Sequence, residues 1–127
     1  KATQQMHPSW SDLFHDLLKE KDRGPKRHFK RLDAAQLVKH YLGLKTAFPD
    51  GGATLLYLCW EPLNGDSLDW VTTHRKEIEH FAGSVNDPDL PFEFLTYDAL
   101  WTQWASVGEP WLTEHVAELR QRYDVNG

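Results

Sequence analysis

Ala53-Thr54-Leu55-Leu56-Tyr57-Leu58-Cys59-Trp60 is an unbroken apolar run set between two turn clusters, Phe48-Pro49-Asp50-Gly51-Gly52 and Glu61-Pro62-Leu63-Asn64-Gly65. It is too short for an ordinary helix and does not alternate, which predicts a strand buried on both faces, as in a parallel sheet covered by helices. A helix over about Leu68 to Val85 follows, with Val71, His74, Ile78, Phe81, Ala82 and Val85 along one side. Asn86-Asp87-Pro88 ends it, and Phe92 to Tyr97 reads as a second strand. Strand, crossover helix and strand make a βαβ unit, right-handed in nearly all proteins.

A two-stranded parallel sheet is not an independently stable core. The reading therefore asks for further strands, placed before Lys1, in a partner subunit, or within a segment such as His28–Leu32. The expected fold class is α/β: a three-layer domain with a parallel or mixed sheet flanked by helices. Residues 1–127 form a single domain on this reading, the C-terminal portion of a longer chain.

Outward from the strands the pattern is helical. Ser9 reads as an N-cap with Asp12 three residues on, and Trp10, Leu13, Phe14, Leu17 and Leu18 share one face until Gly24-Pro25. Asp33 opens a second helix with Gln36 at the capping-box position and an apolar stripe of Ala34, Leu37, Val38, Tyr41 and Leu42. Beyond the second strand, one helix carries Leu100, Trp101, Trp104 and Ala105. A last one starts at Pro110 and carries Leu112, Val116, Leu119 and Tyr123.

The 127 residues are 40% hydrophobic and 26% charged, which excludes a disordered chain, a collagen-like repeat and a disulfide scaffold. The one cysteine, Cys59, lies in the apolar run and reads as a buried thiol in a reducing compartment. There is no signal peptide and no apolar stretch of the roughly 20 residues a membrane span needs, so the expected location is cytoplasmic. A net charge of −5 argues against a generally basic nucleic-acid binder. From Lys19 to Arg31, however, seven Lys or Arg stand against Glu20 and Asp22, a local positive field on an acidic body.

That basic segment and the helix after it form the best functional candidate. Lys26, Arg27, Lys30 and Arg31 are placed to neutralise phosphates, joined by Lys39 on the helix, while Gln36 can hydrogen-bond a phosphate oxygen or base edge. Glu61 closes the apolar strand, where open α/β sheets place their ligands, and is a candidate metal-holding or base-orienting carboxylate. The cluster His74-Arg75-Lys76-Glu77-Ile78-Glu79-His80 does not converge on a metal, because His74 and His80 point about 240° apart round a helix. It reads as one core-edge histidine and a solvated face. No nucleophile elbow, phosphate loop or paired-cysteine zinc motif is present.

Three stretches resemble the C-terminal half of the restriction-endonuclease-like PD-(D/E)XK superfamily. They are Arg31-Leu32-Asp33-Ala34-Ala35-Gln36-Leu37-Val38-Lys39-His40-Tyr41-Leu42-Gly43-Leu44, then Leu55-Leu56-Tyr57-Leu58-Cys59-Trp60-Glu61-Pro62, then His74 to Glu79 with Phe94 to Trp104. The resemblance covers about residues 28–105. It implies a Mg²⁺-dependent DNA nuclease, with Gln36 followed by His40 or Tyr41 near the active site. Pro49-Asp50 and Pro88-Asp89 sit in turns, and neither is followed by the Asp/Glu-x-Lys triplet of that family. Lys1 is then the lysine of such a motif. On this reading the chain supplies the core and the DNA-facing helix, and does not cut DNA by itself. The rival reading is a small acidic interaction domain that binds a protein through Trp101, Trp104 and Trp111.

Overall fold

The computed structural model describes residues 6–20 and 29–127. Among these residues five α-helices and two strands follow in the order α1 (Pro8–Glu20), α2 (Ala34–Ala47), β1 (Leu55–Cys59), α3 (Asp69–Ser84), β2 (Phe92–Thr96), α4 (Tyr97–Ala105) and α5 (Pro110–Tyr123). A 3₁₀ turn, Gly65–Ser67, precedes α3. The fold is α/β, with β1 and β2 paired in parallel. The pairing begins where the Leu55 N–H donates to the Pro91 carbonyl at 2.9 Å. No helix among the described residues is long and apolar enough to cross a membrane.

Two expectations about the sheet are corrected. Among the described residues it has the two strands read from the sequence, and the further strand considered within His28–Leu32 is not there: Phe29–Leu32 is irregular backbone. Nor is β1 buried on both faces: Leu55 and Cys59 are buried, but Leu56 is 43% and Leu58 38% exposed. An uninterrupted apolar run records composition, and composition alone does not distinguish a covered face from a bare one.

Contacts divide the chain into two compact units, Lys1–Leu56 with Thr73–Glu93 and Tyr57–Thr72 with Phe94–Gly127. In the first, Trp10 is fully buried and stacks on Tyr41 with ring centroids 4.0 Å apart and planes 5° from parallel. Phe81 and Phe92 meet it edge-on at 5.4 and 6.4 Å. Offset stacking and edge contacts are the arrangements that aromatic quadrupoles favour, and each buried ring contributes about 1.5–3 kcal/mol from burial. Leu13, Leu37, Val38, Ile78 and Leu90 complete this core.

The helix starts follow from local chemistry. Helix α1 opens at Pro8, with the His7 carbonyl accepting from the Trp10 and Ser11 N–H groups, each at 3.0 Å. Ser9 is therefore not the cap expected of it; its Oγ accepts the Asn86 N–H at 2.8 Å. Helix α2 starts as expected, the Asp33 side chain accepting the Gln36 N–H at 3.0 Å. Past its end, Gly51 and Gly52 take φ values of 92° and 87° to turn the chain into β1.

In the second unit Thr96 caps α4 through the Ala99 N–H at 3.1 Å, and Pro110 stands in the first turn of α5. Helix α4 packs on α5. Trp101 is buried between Tyr97 and Tyr123, and Arg120 lies 5.5 Å over its ring while donating to Asp98 Oδ1 at 2.6 Å. The C-terminal residues return to the loop after β1, where Trp60 Nε1 donates to the Tyr123 carbonyl and the Gly127 N–H to Asn64 Oδ1.

Candidate functional site

The segment Phe29–Asp33 alternates anchors with exposed cations. Phe29 and Leu32 are buried, Phe29 edge-on to Phe81 at 6.0 Å, whereas Lys30 and Arg31 face solvent. Glu77, buried on α3, fixes this geometry: its Oε1 accepts the Arg31 N–H at 2.8 Å and the Leu32 N–H at 2.9 Å. A carboxylate receiving two backbone donors makes charge-assisted bonds, about twice as strong as neutral ones. Asp33 then caps α2, whose next turn presents Lys39.

Lys30, Arg31 and Lys39 consequently line one depression of about 740 Å³ between α1 and α2. Its apolar lining comes chiefly from Phe14, Leu17, Leu18, Val38 and Leu42. None of the three cations is ion-paired to another described residue. A smaller hollow of about 310 Å³ adjoins on Lys30, lined also by Thr73, Lys76, Glu77 and His80.

The other expected residues are placed as follows. Gln36 is exposed on α2, its Nε2 3.3 Å from His40 Nε2. Tyr41, the alternative to His40 beside Gln36, is core: its hydroxyl donates to Asp87 Oδ2 at 2.7 Å and accepts the His7 N–H at 2.9 Å. Glu61 follows β1 in the second unit and is half-buried. Lys1, Lys26 and Arg27 lie outside the described residues. Among the described residues no group of three or more His, Cys, Asp or Glu converges to hold a metal.

Lys76 is exposed, in keeping with the solvated face expected there, but Glu77, counted with it, is buried. Periodicity within α3 carries no sign of its partners, since the Arg31 and Leu32 amides lie about 45 positions away. His74 is buried, as its place on the apolar side of α3 indicates. Cys59 is buried with its Sγ 3.8 Å from the Leu95 carbonyl. Of the three clustered tryptophans, Trp101 is buried and Trp104 half-buried, leaving Trp111, 66% exposed, as the outward one. A surface made by all three together does not exist.

Below α2 sits a buried polar knot. Asp87 Oδ2 accepts from Tyr41 and from Lys45 Nζ at 2.9 Å, and Oδ1 accepts the Asp89 N–H at 3.0 Å. Burial alone would raise the Asp87 carboxyl, but the bonds from Lys45, Tyr41 and Asp89 outweigh it and hold it below the usual carboxylate range. Burial pushes the Tyr41 hydroxyl up, further than the His7 N–H pulls it down, and Asp87 adds to the rise.

These features define a small α/β domain with a cation-lined depression between α1 and α2. Over residues 2–124 the chain matches the family described as Restriction Endonuclease associating with ARP, and it belongs to that family. No curated protein and no solved structure matches it.

Proposed function

We propose that this chain is the DNA-facing part of a Mg²⁺-dependent, PD-(D/E)XK-type endonuclease, the metal-holding carboxylates coming from residues other than those described. The supporting observation is that Lys30, Arg31 and Lys39, drawn from the loop and from α2, line one depression. Converging cations neutralise successive phosphates and fix a backbone in register, while Gln36 on the adjoining surface of α2 reads a phosphate oxygen or base edge. Lys26 and Arg27 extend the phosphate contacts. Glu61, at the carboxyl end of β1, and Lys1 are the candidate catalytic groups. The same family description supports association with a protein partner.

Fluorescence anisotropy with a labelled short duplex tests this reading. Raising salt from about 50 to about 200 mM should weaken binding steeply, and Lys30→Ala, Arg31→Ala and Lys39→Ala should each lower the salt slope by about 1. Absence of binding, or binding indifferent to salt and to all three substitutions, overturns it.

A further inference from the structure

We propose that the depression between α1 and α2 seats an acidic amphipathic helix of the protein partner, and that this helix and DNA compete for Lys30, Arg31 and Lys39. The competition rests on the DNA reading above; the docking does not.

The depression has a chemistry that phosphate binding leaves unexplained. Its lining is largely aliphatic, Leu17 and Leu18 from α1 facing Val38 and Leu42 from α2, and Leu18 is 52% exposed. Phosphate groups gain nothing from covering aliphatic side chains. A trough between two packed helices instead accepts a third helix, whose apolar residues at i, i+3, i+4 and i+7 enter it. The rim then decides the charge of that helix. Lys30, Arg31 and Lys39 are exposed and line the same depression as the aliphatic side chains, so the complementary segment carries Asp and Glu beside its apolar stripe. An apolar centre with a charged rim is the ordinary anatomy of a protein interface. Such a partner occupies the cations with its carboxylates, so its binding and that of DNA exclude one another.

The probe is a fluorescein-labelled designed peptide with Leu at i, i+3, i+4 and i+7 and Glu at most other positions, compared with a scrambled peptide and one with Lys in place of Glu. Saturable binding of the acidic peptide is expected, weaker by about tenfold or more for both controls and for Leu18→Asp protein. Both Leu18 variants should leave the circular dichroism spectrum unchanged, and the uncharged Leu18→Ala should give an intermediate loss of peptide binding. Unlabelled acidic peptide should displace labelled duplex. Equal binding of the scrambled peptide, no saturation, or indifference to both Leu18 variants overturns the docking. Leu18-dependent peptide binding without displacement of bound duplex overturns the competition. Leu18-dependent peptide binding by a chain that binds no duplex supports the docking and overturns the DNA reading.

Discussion

Oε1 of Glu77 on α3 accepts the backbone N–H of Leu32 at 2.9 Å, and the same oxygen accepts the N–H of Arg31 at 2.8 Å. One buried carboxylate thus sets the path of the loop that carries two of the three rim cations. Glu77→Ala leaves two amides without their acceptor and should cost about 1–3 kcal/mol in urea unfolding. Glu77→Gln keeps an acceptor and should cost about half as much. Both should weaken duplex binding in the same order, although neither removes a positive charge.

Asp87 gives the fold an acid-sensitive joint. Its folded carboxyl lies below the ordinary 3.8, burial opposing and the Lys45 and Tyr41 bonds prevailing. Its contribution is therefore complete above that ordinary value and lost as pH falls through the lower folded one. Urea midpoints should hold steady from neutrality down to that range and drop below it. Asp87→Asn should lose about 3 kcal/mol at neutral pH and show a flatter acid limb.

Trp101 and Trp111, ten residues apart, should behave oppositely. Trp101 is buried beneath Arg120 between two tyrosines, so Trp101→Ala should cost about 3–5 kcal/mol. Trp111 is 66% exposed, and Trp111→Ala should stay within about 0.5 kcal/mol of the parent. Thermal and urea unfolding of the pair check both values.

The elements legible in the sequence were those set by local rules. Among the described residues β1 follows from an apolar run between turn clusters, β2 and the five helices from apolar spacing, the Asp33 cap from its position three residues before Gln36, and the Pro110 start from proline's fixed φ. The exposure of Lys30, Arg31 and Lys39 was legible from their charge. What escaped depended on distant partners. Glu77 looks solvent-facing until the Arg31 and Leu32 amides meet it, and Tyr41 looks available to a site until Asp87 claims its hydroxyl. Leu56 and Leu58 are exposed because the sheet has no further described layer over them, and no pattern within β1 encodes that.

The parallel pairing of β1 with β2 also bears on how quickly the protein assembles. Parallel strands cannot be closed by a tight turn, and the whole of α3 lies between these two. The neighbouring pairs α1–α2 and α4–α5 meet over short sequence separations, whereas the strands meet only after a long loop has lost its freedom. Refolding should therefore wait on α3 docking. Truncating Ile78 or Phe81 on its buried side should slow folding, while truncating Val116 on α5 should mainly hasten unfolding.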